Sequence, residues 1–220
     1  MSTWAILAAA GSGERLGADR PKAFVALGEL PLLATSMERL DESDWIDAIV
    51  VAAPRGWEEP SILLAEEIGA GKVSSVVAGG ATRAESVRLA LAEVPEEAVA
   101  VLVHDAARPL VDDEVVGRVL TPLAEGWDGV VPALPIADTV KRVDGDRVLE
   151  TLDRDDLVAV QTPQAFVADT LRRAVGGGSD ATDCAGLVEA AGGRIRWVEG
   201  DPRLLKVTTK ADLERVAAWL

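Results

Sequence analysis

The sequence has few of the side chains on which thiol or imidazole chemistry depends. Its 220 residues include one cysteine, Cys184, one histidine, His104, and no tyrosine. A single cysteine cannot form an intrachain disulfide, and it leaves a cysteine-based metal site without enough ligands. A single histidine likewise excludes a histidine-rich metal site, and we expect no conventional serine–histidine–aspartate triad.

Further absences argue against two kinds of partner, a membrane and a nucleic acid. No stretch of about 18 uninterrupted apolar residues occurs, so we expect no segment that spans a membrane. The first residues lack the basic start and long apolar run of a signal peptide, so we expect a cytoplasmic protein. Positive charge is also scarce, because 22 basic residues face 37 acidic ones and the net charge is −15. Such a field repels the phosphate backbone of a nucleic acid, although a local cationic pocket can still bind a small phosphorylated substrate.

Apolar residues are abundant, at 49%, and their pattern predicts an α/β fold. The length fits one domain, residues 1–220, with a sizeable core. Apolar runs typical of buried strands alternate with segments of helical spacing. The predicted strands are 4–10, 46–53, 73–77, 99–103 and 129–134, and the predicted helices between them are 31–40, 61–68, 84–94 and 112–123. Because each strand is almost wholly apolar, we expect a mostly parallel sheet with helices on both faces.

The pattern changes after the fifth predicted strand. Residues 139–152 alternate apolar and polar side chains around Asp144–Gly145, which predicts a two-stranded hairpin. The hairpin is too polar for the centre of a sheet, so we interpret residues 138–155 as a projecting β-arm. Such an arm either reaches a second subunit or faces solvent. Beyond it we predict helices over 167–174, 183–191 and 209–220, and short strands over 195–198 and 204–207.

The loop after the first strand has the composition of a phosphate-binding loop. Glycines and small residues over 8–13 let backbone N–H groups approach an anion, and Arg15 and Lys22 add positive charge. The spacing Gly-x-Gly-x-x-x-Gly departs from the dinucleotide fingerprint, and the Gly-Lys-Ser/Thr of a P-loop is absent. A nucleotidyltransferase loop and a plain turn remain, and the two cations favour the first.

Two other segments follow predicted strands and are expected at the same edge of the sheet. Gly79–Gly80 leaves room for a flat base against the backbone and Ser86 offers a hydroxyl group, although a glycine turn with a capped helix also explains this segment. Asp105 follows the fourth strand, where a carboxylate can face a ligand hydroxyl or Mg²⁺, which prefers oxygen ligands. Arg108 can pair with substrate or with Asp105, and we interpret His104 as structural.

Two isolated cations have two interpretations each. Arg154, at the foot of the hairpin, either holds an anion or is a solvated surface residue. Lys206 lies within the apolar stretch 204–207, so it either extends to the surface or points into a site.

Taken together, these segments resemble the 2-C-methyl-D-erythritol 4-phosphate cytidylyltransferase family. The matching stretches occur in the family's order and cover nearly the whole chain; they are LAAAGSGERLG with PKAF, GGATRAESV, HDAARP, DTVK, TLDR, QTPQAF, TDCAGLVEAAG and LLKVTTKADL. No single stretch is specific, because many sugar-nucleotide transferases share the first loop, but the set is specific.

The resemblance implies a reaction, a cofactor, an assembly and a set of site residues. The family transfers CMP from CTP to the phosphate of methylerythritol phosphate and releases pyrophosphate, with Mg²⁺. Its fold is a Rossmann-like α/β sheet, and its β-arm clasps a partner in a homodimer. The implied nucleotide-binding residues are Ala9, Ala10, Gly11, Gly13, Gly80, Ser86, Asp105 and Ala106. The implied catalytic cations are Arg15, Lys22, Arg154 and Lys206, and the implied acceptor-binding residues are Asp105, Arg108, Thr139, Arg154, Thr162 and Lys206.

The resemblance also implies that Asp105 lies near Mg²⁺, with or without direct contact, and that Arg154 reaches the acceptor phosphate of the neighbouring subunit. Three positions depart from the family's pattern. Leu204 replaces a common Asn, Cys184 replaces a second acidic residue, and Ala81 replaces an Asp that some members carry.

Two other functions remain open at this point. The related enzyme that makes CDP-ribitol from ribitol 5-phosphate shares most of these motifs, and a non-catalytic nucleotide-binding scaffold is a second alternative. An acceptor that is already a phosphate monoester is a competent nucleophile, so transfer requires no catalytic base. Positioning and electrostatic stabilisation by cations suffice, which suits a chain with one histidine.

Overall fold

The computed structural model describes residues 2–11, 13, 16–17, 19–177 and 181–220. Its strands are β1 Ser2–Ala8, β2 Ala26–Leu27, β3 Leu30–Pro31, β4 Ala48–Ala53, β5 Val73–Ala78, β6 Ala98–Asp105, β7 Gly129–Pro135, β8 Val140–Asp144, β9 Arg147–Leu152, β10 Val158–Val160, β11 Gln164–Val167 and β12 Ile195–Glu199. Within these ranges eight strands form one sheet in the order β10-β7-β11-β6-β1-β4-β5, and β12 pairs with β7. The pairs around β1 and β4 are parallel, as is β7 with β12, whereas β10 and β11 run antiparallel to their neighbours.

Helices cover both faces of this sheet. They are α1 Leu32–Asp41, α2 Glu58–Glu67, α3 Arg83–Leu91, α4 Asp113–Leu120, α5 Ala168–Gly176, α6 Cys184–Ala190 and α7 Lys210–Ala217. Side chains alternate along β1, so Ala5 and Leu7 pack in the core beneath α1 and α4, while Ile6 packs in the core beneath α3, α5 and α6. The predicted α/β class, with a mostly parallel sheet between two helical layers, is therefore confirmed; the fold is Rossmann-like.

The prediction of a strand over 204–207 was wrong. Residues Pro202–Leu204 form a 3₁₀ turn, and the described residues that follow it are irregular up to α7. Leu204 and Val207 are fully buried, so the segment is as apolar as a strand. It does not pair with the sheet, however; the amide of Val207 donates to the carbonyl of Ala107 in a loop, at 2.8 Å. Four strands were also missed, β2, β3, β10 and β11, because each is too short to show an alternating pattern.

Two small hairpins lie outside the main sheet. β2 pairs with β3, and β8 pairs with β9 between residues 140 and 152. The second hairpin has its apolar side chains in solvent, because Val143, Val148 and Leu149 are each at least half exposed, at 57%, 56% and 50%. Across the described ranges, none of the helices is both long and apolar enough to cross a membrane.

The strand register brings three loops to one edge of the sheet. Ala8 at the end of β1 is aligned with Ala52 of β4 and with Asp105 of β6, and Ala53 of β4 is aligned with Ala78 of β5, so the loops after β1, β5 and β6 start at the same edge. The next residues continue this pairing, because the amide of Ala106 donates to the carbonyl of Ala8 at 3.0 Å. Ligands of open α/β sheets bind beyond the carboxyl ends of the strands, which is where these loops meet.

Candidate active site

A cavity of about 390 Å³ opens at this edge of the sheet. Its described wall comes from the loops after β1, β5 and β6 and from the irregular segment before α7. The predicted site residues that line it are Ala9, Ala10, Gly11, Lys22, Gly80, Ser86, Asp105, Ala106 and Lys206. Among its described charged residues, three are basic, Lys22, Arg83 and Lys206, and one is acidic, Asp105, so a strongly acidic protein has a cationic cavity.

The loop after β1 presents amide hydrogens to this cavity. The amide of Ala9 donates to the carbonyl of Ala52, but no described residue accepts from the amides of Ala10 and Gly11. Gly13 does not line the described wall of the cavity, and it is required for another reason: its φ is +70°, and a Cβ there would lie 2.5 Å from the Cβ of Lys22. Gly13 therefore lets the chain pass close to Lys22, whose Nζ donates to the carbonyl of Val207 at 3.1 Å. Arg15 lies outside the described residues.

In the loop after β5, by contrast, the amides are hydrogen-bonded within the protein. Three consecutive amides donate within the protein: Gly79 to the carbonyl of Ala53 at 2.8 Å, Gly80 to Ser86 Oγ at 3.1 Å, and Ala81 to Glu85 Oε2 at 2.7 Å. Thr82 caps α3 by accepting from the amide of Glu85. The Glu85 carboxylate, however, takes the amide of Ala81 rather than closing a capping box on Thr82.

Asp105 lies between two cations on the floor of the cavity. Its Oδ1 accepts from Arg83 Nε at 3.0 Å and its Oδ2 accepts from Lys206 Nζ at 2.7 Å. Burial by itself would raise the pKa of Asp105, but the charges of Arg83 and Lys206 outweigh burial and hold this pKa far below its ordinary value. Asp105 is therefore ionised, and it keeps the two cations side by side.

A second cavity, of about 200 Å³, shares this trio of side chains with the first. Besides Arg83, Asp105 and Lys206, its described wall includes the predicted residues Arg108 and Thr162. Three of its wall residues, Arg83, Arg108 and Gln164, each keep one buried polar atom without a partner among the described residues. Unsatisfied buried polar groups are rare in folded proteins, and their concentration around one cavity is typical of a functional site.

Sequence reasoning missed Arg83, Gln164 and Asp183 in these walls. Arg83 follows the helix cap Thr82, where a side chain usually faces solvent, yet it reaches 22 positions along the chain to Asp105. Gln164 donates to Asp183 Oδ2 at 2.7 Å, and Asp183 in turn caps α6 through its Oδ1. The available signal was that all three occur within the stretches that carry the family resemblance.

Lys206 points into the site rather than to the open surface. Leu204, two residues before it, and Val207, directly after it, are fully buried in different parts of the core, which fixes the backbone between them. Arg108 also holds this segment, because its Nη1 donates to the carbonyl of Leu204 at 2.6 Å. Arg108 therefore bonds to the chain around Lys206 and not to Asp105.

The three departures from the family's pattern have structural explanations. Leu204 fills the core with its side chain and offers its carbonyl to Arg108. Cys184 is buried with its Sγ 3.4 Å from Arg83 Nη1, and burial raises the pKa of its thiol. At Ala81, the amide donates to the carboxylate of Glu85, so an acidic group lies beside this residue although its own side chain carries none.

His104 links the two loops that carry Arg108 and Thr162. Its Nε2 donates to the carbonyl of Arg108 at 3.0 Å, and its Nδ1 accepts from Thr162 Oγ1 at 3.2 Å. Thr162 Oγ1 also accepts from the amide of Asp105 at 3.1 Å. The imidazole is fully buried, and this burial lowers the pKa of His104 to about 4.

We predict that His104 makes stability depend on pH. Its pKa is about 4 in the folded protein against 6.5 for an unperturbed histidine, so the unfolded chain binds the proton more readily. The stabilisation is complete above pH 6.5 and is lost as the pH falls towards 4, by about 3 kcal/mol in total. Urea unfolding across this range should show a steeper pH dependence for the wild type than for His104→Gln. Equal slopes in the two proteins would contradict the prediction.

Thr139 and Arg154 are not brought to either cavity. Both are exposed, at the base of the hairpin formed by β8 and β9, and neither belongs to the described wall of either cavity. Arg154 Nη1 donates to the carbonyl of Ala137. Within one chain, the two predicted arm residues thus stand apart from the other predicted residues.

Comparison with known proteins identifies a match over nearly the whole chain. The family model described as "IspD: 2-C-methyl-D-erythritol 4-phosphate cytidylyltransferase" matches residues 3–220. The 2-C-methyl-D-erythritol 4-phosphate cytidylyltransferase of Saccharopolyspora erythraea is 48% identical, with all of both chains covered. The enzyme of the same name from Nocardia farcinica is 46% identical over 96% of this chain and 91% of the relative.

Solved structures agree with this match. The 2-C-methyl-D-erythritol 4-phosphate cytidylyltransferase of Francisella tularensis superposes with a TM-score of 0.85 at 28% identity, with both chains fully covered. The corresponding protein of Thermus thermophilus gives a TM-score of 0.79 at 33% identity, with 97% of this chain and 96% of that chain covered.

Proposed function

Because the chain belongs to the 2-C-methyl-D-erythritol 4-phosphate cytidylyltransferase family, we propose that its two adjoining cavities are the two substrate sites of this reaction. The protein is a nucleotidyltransferase that moves CMP from CTP to 2-C-methyl-D-erythritol 4-phosphate in isoprenoid synthesis. The larger cavity is the CTP site and the smaller is the acceptor site. The observation that carries this assignment is that Arg83, Asp105 and Lys206 line both cavities, so the two phosphates meet beside two cations.

The triphosphate lies on the loop after β1. The amides of Ala10 and Gly11, which donate to no described residue, are donors for phosphate oxygens, and Lys22 adds a basic side chain to the same wall. Glycine and alanine side chains let a ligand approach these amides closely. The nucleoside then lies towards Gly80, Ser86 and Ala106, which line the same cavity.

The acceptor phosphate lies against Lys206, Arg108 and Thr162 in the smaller cavity. We propose that Thr139 and Arg154 of a second copy complete this site, because within one chain they lie on the arm and away from both cavities. The exposed apolar side chains Val143, Val148 and Leu149 fit the same arrangement, since a homodimer contact through the arm would cover them.

Catalysis requires no proton transfer by the protein. The acceptor phosphate oxygen attacks the α-phosphate of CTP, one P–O bond forms, and the bond to the leaving pyrophosphate breaks. His104 is buried, neutral and bonded on both nitrogens, so it is not a base for this step. Lys22, Arg83 and Lys206 bring two anions together and stabilise the charge that accumulates on the α-phosphate and on pyrophosphate.

The residues present fit a divalent cation held chiefly by substrate. Within the described residues, no group of three or more histidine, cysteine or carboxylate side chains can hold a metal ion. Asp105 is the one carboxylate among the described wall residues of the larger cavity, and Mg²⁺ often combines phosphate oxygens with one or two carboxylates. When bound, Mg²⁺ neutralises charge on the triphosphate. We therefore propose Mg²⁺ as the cofactor, with Asp105 as its nearby carboxylate.

Pyrophosphate release tests the proposal. With CTP and Mg²⁺, we expect rapid release when 2-C-methyl-D-erythritol 4-phosphate is offered, and at least about 10²-fold slower release with ribitol 5-phosphate, because the polar wall of the smaller cavity matches one arrangement of hydroxyl groups. Faster turnover of ribitol 5-phosphate would overturn the acceptor assignment. Binding of CTP without release of pyrophosphate for any acceptor would overturn the function.

A further inference from the structure

A third apolar cluster lies outside the main sheet and borders the larger cavity. Its six buried side chains are Leu16, Leu27, Leu32, Leu110, Val207 and Val216. They come from the loop after β1, from β2, α1 and α7, and from the segments that follow β6 and precede α7. Leu32 also belongs to the wall of the larger cavity, so a change in the packing of this cluster reaches that wall directly.

Two segments of the proposed CTP site end in the third cluster. Leu16 lies in the loop after β1, and its amide donates to the carbonyl of Gly13 at 2.8 Å. Val207 directly follows Lys206, and its carbonyl accepts from Lys22 Nζ at 3.1 Å. The phosphate-binding loop and both lysines therefore depend on how the third cluster packs.

Apolar packing, rather than pairing with the main sheet, holds these segments in place. In the described part of the chain, β2 pairs with β3 and with no strand of the main sheet. The amide of Val207 donates to the carbonyl of Ala107, which lies in the loop after β6. A unit that is attached in this way can open locally while the sheet stays folded.

Helix α7 is attached to the third cluster by one buried side chain. Every residue of α7 is described, and Val216 is the one that is buried. A capping box fixes the start of the helix, because Thr209 Oγ1 accepts from the amide of Asp212 while the Asp212 carboxylate accepts from the amides of Thr208 and Thr209. Since this cap directly follows residues 204–207, a shift of α7 also shifts the segment that carries Lys206.

We infer that Val216 is a positioning residue of the CTP site, because its packing holds α7 on the third cluster and the cluster keeps the loop after β1 and Lys22 in the arrangement that binds CTP. This inference rests on the proposed function, since it requires that CTP occupies the larger cavity. Val216 belongs to the described wall of neither cavity, so it acts through the cluster. A protein whose cluster is open binds CTP only after the cluster closes, and the apparent Kd rises as the closed fraction falls.

The test compares Val216→Ala with Val119→Ala, a matched control. Val119 is also a fully buried valine in a helix, α4, but it packs against the main sheet and lines the described wall of neither cavity. In Val216→Ala we expect the KM for CTP, and the Kd for CTP without acceptor, to rise about tenfold, which corresponds to a closed fraction of about one tenth, while kcat at saturating substrates stays within about twofold of the wild type. Val119→Ala should lose at least as much stability in urea, because it opens a cavity in the main core, and it should keep the wild-type KM and Kd.

Amide exchange measures the local opening directly. In Val216→Ala the amide of Val207 should lose protection while the amides of β6 keep theirs, because the sheet does not open with the cluster. Saturating CTP should restore protection at Val207, since a ligand that binds the closed form stabilises it. Val119→Ala should retain the wild-type protection at Val207.

A milder variant keeps the inference testable if Val216→Ala does not fold. Leu213 is half-buried and packs against the same cluster, so Leu213→Ala should raise the KM for CTP in the same direction. An unchanged KM and Kd for CTP in Val216→Ala, with protection at Val207 lost, would overturn the inference, and so would an equal rise in Val119→Ala. Under both of these outcomes the wild type still releases pyrophosphate, whereas a wild-type protein that releases none would refute the proposed function instead.

Discussion

Replacement of Lys22 by alanine is expected to reduce kcat/KM for CTP by at least about 10²-fold, equivalent to about 3 kcal/mol, while the protein remains folded. Lys22 lines the wall of the larger cavity together with Ala10 and Gly11, whose amides donate to no described residue. The other described basic residues of that wall are Arg83 and Lys206, which both bond to Asp105. Removal of Lys22 takes away one of the three described basic side chains of this wall, and so weakens the electrostatic stabilisation of the triphosphate. Steady-state pyrophosphate release measures the effect.

Lys72 provides a matched control for this variant. Its Nζ also donates to a backbone carbonyl, that of Ser43 at 2.7 Å, but it does not line the described wall of either cavity. Lys72→Ala should therefore lose stability, by about 1 kcal/mol, and keep its activity, whereas Lys22→Ala should lose activity. Full activity in Lys22→Ala, with CTP below its KM, would remove Lys22 from the site.

Dimers that combine two inactive subunits are expected to regain about half of the wild-type activity. If each acceptor site takes Lys206 from one subunit and Arg154 from its partner, Arg154→Ala and Lys206→Ala homodimers are both inactive. A mixed dimer of these two variants has one site with both residues intact and one site with neither. Differently tagged subunits, co-expressed and purified through both tags, allow the mixed dimer to be assayed alone.

The reciprocal dimer distinguishes shared from separate sites. A wild-type subunit paired with an Arg154→Ala, Lys206→Ala double variant has one defect in each site if the sites are shared, and we expect it to be inactive. If every site lies within one subunit, this dimer retains half of the activity and the first mixed dimer is inactive. The two experiments therefore give opposite patterns under the two arrangements. No recovery in the first mixed dimer would refute the shared site.

The sequence predicted the sheet well where strands are long and apolar. The runs that became β1, β4, β6 and β7 are buried between two helical layers, so nearly every residue in them is apolar and the pattern is unambiguous. The same criterion failed at 204–207, because Leu204 and Val207 are buried by packing in an irregular segment and not by strand pairing. A buried segment is apolar whether its backbone is a strand or irregular, so an apolar run alone does not distinguish the two.

The site was predictable where the backbone order of the sheet determines it. Loops that follow parallel strands meet at one edge, so Gly11, Gly80 and Asp105 could be expected to lie together from their places in the chain. Arg83 was not predictable in this way, since its role depends on a side chain that turns from a helix terminus towards Asp105. The role of Arg154 cannot be predicted from the fold of one chain, because we expect this residue to act on the site of another copy.

The irregular stretch from Leu204 to Val207 is held at both ends by hydrogen bonds from basic side chains of the site. Arg108 donates to the carbonyl of Leu204, Lys22 donates to the carbonyl of Val207, and Lys206 stands between them against Asp105. Because both hydrogen bonds go to main-chain carbonyls, they depend on the number of residues in the stretch and not on its side chains. Adding or deleting a single residue there would therefore displace Arg108, Lys22 and Lys206 together and disturb three positive charges of the site at once.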